Sequence, residues 1–532
     1  MSDPHVQISQ GELSGTTEAT ATGAVRRFAG IPYAASPAGA GRFRPPEPAP
    51  AWDGVRAATE FGPAPFQATE GPMAGLVPGM TPDRVSEDCL TLNVWCPAGA
   101  GAGAGEKLPV LLWFYGGAFT IGSSSLETYD GARLAAEQNV VVVSANYRVG
   151  AFGFLDLRDH GGAEIGAVAN AGLRDQLLAA SWVRDNIAAF GGDPSRITVF
   201  GESAGAGCII HLISSAGARG VIARAIAQSP GVDFTQTAET AGIIAGRLLA
   251  ELGAATAKEL LEVPADRILA AQEAVALSSM AEYGAMVFHP VIDGDVVAAT
   301  PSVALARGDA AGIDLLIGST TDEMRLYLDP AANDISRAEL TDWTTRYLRN
   351  RMGGRTPPPE RVTALLDAYT KRGEGTSRNG IADLWTALTT DGGMRLPALR
   401  LADAQSAHNP RTYAYAFTWQ SRHPGADLGA FHAVDLPFTF DTFDRCGWAE
   451  FVGVDDAGRS LGQAMRSAWA AFAATGDPSS ASSGPWPRYE TGQRAMKILG
   501  TPLGVADDPL AAVRDTWRDL WDEAARPPGF PA

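Results

Sequence analysis

The chain of 532 residues carries a formal net charge of −18, a sequence pI near 4.9, 45% hydrophobic residues and 19% charged ones. That hydrophobic share is ample for a large buried core, while the acidic balance argues against nucleic acid and anionic membrane surfaces as partners, since both attract basic patches. The four cysteines (Cys89, Cys96, Cys208 and Cys446) are irregularly spaced and lack a Cys-x-x-Cys or Cys/His cluster, so they read as small hydrophobes rather than as a disulfide framework or a zinc site.

The opening residues, MSDPHVQISQGEL, contain neither a basic nor an apolar leader region, so no secretory signal is expected. No uncharged apolar run reaches the roughly 18 residues that a membrane span needs. With no N-glycosylation sequon, these features fit a reduced, cytoplasmic setting. Only Lys107, Lys258, Lys371 and Lys497 stand against many arginines, a composition that fits a GC-rich bacterial genome.

In chain order, the Gly/Ala run from Ala98 to Glu106 cannot pack a core and reads as an exposed, flexible loop. LPVLLWFY (Leu108 to Tyr115) is a continuous apolar run, typical of a strand buried on both faces. NVVVVSANY (Asn139 to Tyr147) is a second, with a helix expected between them around YDGARLAAEQ. Apolar residues at helical spacing follow from Leu173, stopped by Gly191, Gly192 and Pro194. RITVFGES then reads as strand and turn, and GAGCIIHLISS as the helix leaving it. Residues 235–285 and 330–395 read as helices and loops, candidates for cap or lid insertions. GIDLLIGSTTDE (Gly312 to Glu323) and RTYAYAFTW (Arg411 to Trp419) are later strands. This alternation predicts an α/β protein with right-handed crossovers and a large, mostly parallel sheet flanked by helices. Neither a repeat nor a charged or Pro-rich linker divides the chain, so residues 1–532 are expected to form one domain.

Gly201-Glu202-Ser203-Ala204-Gly205 matches G-x-S-x-G between a strand and a helix. Such a turn is tight, flanking glycines remove the Cβ atoms that would clash, and the serine is left exposed at a helix N-terminus. A serine hydroxyl is a poor nucleophile until a base takes its proton and N–H donors receive the developing negative charge. One donor would be Ala204. Others would come from the loop after Tyr115, where Gly116-Gly117-Ala118 can turn sharply and present bare amides.

Only seven histidines are available as base. In an α/β hydrolase the chain order is serine, acid, histidine. His5, His160 and His211 are misplaced for that order, and His289 precedes the best acid candidates. His408 and His423 lie in polar stretches that read as surface loops. His432, in LGAFHAVDLPFTF, is flanked by apolar residues that could hold a base rigid and partly dehydrated. The acid, which fixes the imidazole tautomer and stabilises imidazolium, should end a strand before His432. LLIGSTTDEM offers Asp322 and Glu323, and spacing leaves both open.

Together these stretches resemble the type-B carboxylesterase family, with its bacterial para-nitrobenzyl esterases, mammalian carboxylesterases and cholinesterases. The likeness covers nearly the whole chain: FAGIPYA (Phe28 to Ala34), RFRPP (Arg42 to Pro46), SEDCLTLNVW (Ser86 to Trp95), WFYGGAF, NYRVGAFGF (Asn146 to Phe154), NIAAFGGDPSRITVFGESAGA, GSTTDE, FHAVDLPF and TGDP…WPRY. It implies an α/β-hydrolase fold and assigns Ser203, Glu323 and His432 as catalytic residues, with Gly117, Ala118 and Ala204 as the oxyanion hole. Met324 stands where the family's Asp-Glu-Gly pattern has Gly. Ala118 stands where many relatives have a third Gly, a form associated with tolerance of bulky alcohol groups. The family's first disulfide joins the Cys of Glu-Asp-Cys-Leu to an earlier Cys that FGPAPFQ lacks, so Cys89 is expected to be free. Glu87 and Arg148 match a structural ion pair of the family. Glu202 is expected to tune the site electrostatically and Ser229 to support Glu323. The aromatic gorge and anionic-site Trp of cholinesterases are not recognisable.

The resulting expectation is a serine carboxylesterase that hydrolyses short-chain or aromatic esters through an acyl-enzyme, with no metal or cofactor. The alternative is a specialised hydrolase of carbamates, amides or one natural ester on the same triad. The partner is a small-molecule ester, with no nucleic acid or membrane, and the chain is expected to be a monomer or weak homo-oligomer. Met280, Tyr283, Phe288, Trp385 and Phe431 are candidate pocket walls, with core packing as their plainer reading.

Overall fold

The computed structural model describes residues 3–71, 75–101, 105–231, 234–284, 286–328, 335–352, 354–373, 380–423, 427–518 and 520. The Gly/Ala run includes 102–104, and the two expected insertions include 285, 330–334, 353 and 374–379. Those positions lie outside the described residues.

Eleven strands among the described residues form one sheet. They are β1 (Thr16–Ala19), β2 (Ala24–Pro32), β3 (Thr91–Pro97), β4 (Leu108–Phe114), β5 (Val141–Ala145), β6 (Gly192–Glu202), β7 (Arg224–Gln228), β8 (Asp314–Thr320), β9 (Thr412–Phe417), β10 (Ala495–Leu499) and β11 (Gly504–Asp507). Their spatial order is β11-β10-β9-β8-β7-β6-β4-β5-β3-β2-β1. Every pairing from β5 across to β10 is parallel, while β1–β2, β2–β3, β3–β5 and β10–β11 are antiparallel. The expected mostly parallel sheet is therefore present, with antiparallel margins. The apolar runs point to β4, β5, β6, β8 and β9. The central β7 is only five residues long and too short to show such a run, while the outermost β1 and β11 keep alternate residues open to solvent.

The centre of the sheet is fully covered. Val110, Leu111, Leu112, Trp113 and Phe114 of β4 have no exposure to solvent, nor do Val141, Val142 and Val143 of β5. Each such aliphatic side chain contributes about 1.5–3 kcal/mol relative to leaving it exposed. The Trp113 indole packs against Phe200 at 4.8 Å, Phe440 at 4.9 Å and Tyr129 at 5.0 Å between ring centroids, locking β4 to β6. Helices α1 (Ala132–Gln138), α2 (Ala171–Asn186) and α3 (Ala204–Ser214) make the early crossovers. Residues 235–285 contribute α4 (Ala238–Leu252) and α5 (Ala265–Tyr283), which pack on each other. Residues 330–395 contribute α6 (Arg337–Arg351), α7 (Pro359–Lys371), α8 (Ile381–Thr390) and a π-helical turn at Asp391–Arg395. No helix among the described residues is long and apolar enough to cross a membrane.

One expected contact is absent. Glu87 does not pair with Arg148; it takes a bidentate bond from Arg42 at 2.5 and 2.6 Å. Arg148 instead forms a fork with Asp175 of α2 at 2.7 and 2.8 Å, both side chains almost wholly buried. Each arginine takes the carboxylate that offers both oxygens in the plane of its guanidinium, a geometry worth more than a single contact. Residue spacing in the sequence cannot reveal that choice. Cys89 is free, as expected, and so are Cys96, Cys208 and Cys446.

The sheet positions the site by where its strands stop. In an open parallel sheet the loops beyond the carboxyl ends of the strands converge on one edge. β4 ends just before Gly116, β6 ends at Glu202, β8 just before Glu323, and the loop after β9 leads to His432.

Candidate active site

Ser203 is the single residue between β6 and α3, at φ 55° and ψ −127°. A non-glycine residue in that region costs about 1–3 kcal/mol and persists only when its surroundings over-determine it. Here they do: the Ser203 N–H donates to Gln228 O at 2.9 Å, and its carbonyl accepts from Gly207 N at 2.9 Å to start the helix. The flanking glycines are required by contact with β4. A Cβ on Gly205 would lie 2.1 Å from Phe114 O, and one on Gly201 2.6 Å from the same oxygen.

The loop after β4 lies directly against this turn. A Cβ on Gly116 would meet Ser203 Cβ at 2.9 Å and Glu202 O at 2.8 Å. Gly117, Ala118 and Phe119 all have positive φ (120°, 53° and 61°), so the loop is wound with its amides turned out of any repeating pattern. The Gly117 carbonyl accepts from Thr120 and Ile121, but the N–H groups of Gly117 and Ala118 have no acceptor among the described residues. Ala204 opens α3, where the first amides have no intrahelical partner and carry the positive end of the helix dipole.

His432 reaches this point from a loop. Its Nε2 lies 2.7 Å from Ser203 Oγ and its Nδ1 2.5 Å from Glu323 Oε2. Glu323 begins a 3-10 turn, Glu323–Tyr327, directly after β8, and is fully buried. Its second oxygen, Oε1, accepts from Ser229 Oγ at 2.5 Å and from the Thr320 N–H at 2.7 Å. With one oxygen saturated by these donors, the other is left to face the imidazole. Asp322, the other carboxylate left open by the sequence, faces away from His432: its Oδ2 accepts from the Ala430 N–H at 2.9 Å.

The electrostatics are those of a buried cluster of acids around one imidazole. Glu202, 3% exposed, places Oε1 3.2 Å from His432 Nε2. Burial is the main reason its carboxyl pKa is pushed up to about 8. Burial is also the largest influence on His432 and draws its pKa down, but the Glu202 and Glu323 carboxylates together outweigh it and lift it to about 9. Below them Asp435, raised to about 6 by burial, accepts from Gln228 Nε2 at 2.9 Å. Such a cluster can pull a proton from a neighbouring hydroxyl and hold it on the imidazole.

The structure brings together Ser203, His432, Glu323, Gly117, Ala118, Ala204, Glu202 and Ser229. Of the other histidines, His211 and His289 are buried, with pKa values drawn down by burial to about 4 and about 3, and His408 is exposed. Among the candidate wall residues, Phe431 packs on Phe451, Trp385 on Trp343 and Tyr347, and Tyr283 beneath the Arg247 guanidinium. Tyr327 was not singled out in the sequence, yet its ring centroid lies 5.7 Å from that of His432 and its side chain is partly open to solvent. Its place four residues after Glu323 is the signal that could have found it. No group of three His, Cys, Asp or Glu among the described residues could hold a metal ion.

The chain matches the model of the carboxylesterase family over residues 2–514. It is 36% identical over 511 residues to the para-nitrobenzyl esterase of Bacillus subtilis, covering 96% of this chain and 97% of that one. It is 32% identical over 507 residues to the phenmedipham hydrolase of Pseudarthrobacter oxydans, covering 93% and 95%. Among solved structures, a thermophilic PNB esterase superimposes with a TM-score of 0.83 at 33% identity, covering 97% of this chain and all of that one. The fold is that of these esterases, the α/β-hydrolase fold.

Proposed function

This chain belongs to the carboxylesterase family and is a carboxylic-ester hydrolase, and we propose that it works as a serine esterase in which Ser203, His432 and Glu323 form the catalytic triad. The observation that carries this reading is the continuous hydrogen-bonded line from Ser203 Oγ through the imidazole to Glu323, at 2.7 and 2.5 Å, on a strained strand-to-helix turn.

Ser203 Oγ attacks the ester carbonyl while its proton passes to His432 Nε2. The carbonyl oxygen becomes an oxyanion, received by the N–H groups of Gly117, Ala118 and Ala204. The intermediate collapses, the C–O bond to the alcohol breaks, and the imidazolium returns the proton to the departing alkoxide. A water then gives a proton to His432 as its oxygen attacks the acyl carbon; the second intermediate collapses, the bond to Ser203 Oγ breaks, the imidazolium returns the proton to Oγ, and the acid leaves. Glu323 holds the tautomer with Nδ1 protonated and stabilises the transient imidazolium. Glu202 sets how tightly the imidazole holds its proton.

Short-chain and aromatic esters are the proposed substrates, on the strength of the para-nitrobenzyl esterases among the relatives. The helices within 235–285 and 330–395 are read as cap elements of a single domain. In support, α8 reaches the acid's turn: the Met324 N–H donates to Thr390 Oγ1 at 3.1 Å, and Arg325 pairs with Asp383.

The test is hydrolysis of para-nitrophenyl butyrate by the wild type and by Ser203→Ala. Turnover with an initial burst is expected from the wild type, with kcat lowered by roughly 10⁴-fold or more in the variant. Labelling of the wild type by a fluorophosphonate should map to Ser203. Comparable turnover by a folded Ser203→Ala variant defeats the mechanism. Running carbamate and amide analogues of the same aryl group alongside separates a broad esterase from a specialised hydrolase on the same triad.

A further inference from the structure

The loop that carries His432 has no regular structure of its own. Residues 427–435 are neither helix nor strand, yet the imidazole must sit within about half an ångström of one position to bond two partners at once. Asp322 grips this loop beside a main-chain bond from the Ser421 N–H to Gly429 O at 2.9 Å. Its Oδ2 accepts from the Ala430 N–H at 2.9 Å, and its own N–H donates to Ala430 O at 2.9 Å. The next residue continues the seam: the His432 N–H donates to Glu323 O at 3.2 Å. Two strands would use main-chain acceptors throughout; here one acceptor is a carboxylate. Gln420 Nε2 and Thr321 Oγ1, each 3.2 Å from the same oxygen, hold that carboxylate in place. Gly429 makes room for it. Its φ is 59°, and a Cβ there would lie 2.9 Å from Asp322 Cγ and Oδ2.

We propose that Asp322 is a positioning residue for ester hydrolysis: its carboxylate clamps the 429–430 backbone and thereby sets the His432 imidazole in line between Ser203 and Glu323. The proposal rests on the reading of His432 as the base. The lever is short, because Ala430 is only two residues from His432. The clamp and the acid are adjacent in the chain, so one turn fixes both the partner of Nδ1 and the loop that presents it. The property required of residue 322 is an acceptor oxygen at this place, not a negative charge.

The experiment compares Asp322→Ala and Asp322→Asn in the full chain, with Ser203→Ala as the floor. It measures kcat and KM on para-nitrophenyl butyrate across pH, thermal stability, and the rate of fluorophosphonate labelling at Ser203. Displacement of a catalytic group by about 1 Å can cost about 10²-fold, so Asp322→Ala is expected to lower kcat by about that factor and to slow labelling in parallel, with KM changed by less than about threefold. Asp322→Asn, whose amide oxygen can accept the same N–H, should recover to within about fivefold of wild type with an unchanged pH profile. A folded Asp322→Ala with wild-type kcat overturns the proposal. So does a folded Asp322→Asn as impaired as the alanine variant, which makes charge the operative property, or a joint fall of kcat, rise of KM and loss of stability without rescue. If Asp322→Ala does not fold, the asparagine variant decides alone. Turnover persisting in Ser203→Ala defeats the functional reading itself, a result distinct from any in the Asp322 series, and removes this proposal with it.

Discussion

Ser203 and His432 meet across a 2.7 Å hydrogen bond, but the two sides of that bond are built by different means. On the serine side, Ser203 alone separates the last residue of β6 from the first of α3. Main-chain hydrogen bonds and close backbone contact with β4 leave the turn no alternative. On the other side, Glu323 sits on a short 3-10 turn and His432 in an irregular loop. Side chains add to a short main-chain seam in holding them: Ser229 on Glu323, and Asp322 on the histidine loop. The serine's place is thus a property of the fold, while the places of acid and base depend on a few polar groups. Substitutions in the backbone support of the first side should damage the fold, and in the side-chain supports of the second the rate.

The largest effect expected on the acid–base side comes from Glu323→Gln. Ser229 Oγ and the Thr320 N–H both donate to Oε1, so the amide oxygen must take that position and the NH₂ must face His432 Nδ1. An N–H donor there forces the proton onto Nε2, where the imidazole can no longer accept from Ser203. A wrong tautomer of this kind costs about 10⁴-fold in kcat. The measurement is kcat alongside thermal stability. A variant that melts like the wild type but barely turns over marks the acid's role as chemical rather than architectural; activity within tenfold of wild type would count against it.

Gly205→Ala probes the serine side and should invert that result. The new Cβ would sit 2.1 Å from Phe114 O and 2.6 Å from Tyr115 O, backbone atoms of the sheet's centre that cannot swing away. Overpacking of this kind costs about 1–3 kcal/mol and sometimes more. A lowered denaturation midpoint, or loss of soluble protein, is expected before any selective change in rate. A stable Gly205→Ala variant with normal activity would show that the turn has slack the contacts deny it.

The same division explains what could be read from the chain. The Ser203 turn is legible because its requirements are local: an apolar strand, two glycines, a serine and a helix follow one another directly in the chain. Long buried runs likewise mark β4, β5, β6, β8 and β9, while the short β7 and the outermost β1 and β11, open to solvent at alternate residues, leave little trace. His432 emerges only by elimination among seven histidines. Its supports are not legible at all, since Asp322 reaches Ala430 across 108 positions and nothing in LGAFHAVD announces an acceptor so far away. The choice between Asp322 and Glu323 needs either the family pattern or the geometry, because adjacent carboxylates on a turn point in different directions. Glu87 and Arg148 illustrate the same limit, each having taken a different partner from the one expected.

Glu202 belongs to both sides, since it ends β6 in the rigid sheet while Oε1 lies 3.2 Å from the His432 ring. Its substitution should have the smallest effect of the three, a change in the pH dependence more than in the limiting rate. His432 accepts the serine proton only when neutral, so kcat/KM should rise with pH as the imidazole loses its proton. The nearby carboxylates hold that proton and lift the imidazole to about 9, while burial lifts Glu202 itself to about 8. The two groups lie 3.2 Å apart, so their titrations are coupled. As Glu202 ionises, it makes His432 harder to deprotonate, and the wild-type rise should be shallow and set well to the alkaline side of the ordinary imidazole value of 6.5. Glu202→Gln removes one negative charge from beside the ring. The imidazole pKa must then fall, and the rising limb must move to lower pH and steepen. Each unit of that movement is roughly a tenfold gain in neutral imidazole on the acid side of the limb. The plateau kcat should stay within about tenfold of wild type, because the amide keeps the size of the side chain and no bond to Ser203 is lost. A limb that stays in place in a folded, active variant would mean that Glu202 is uncharged throughout the working range and acts on the site only by filling space.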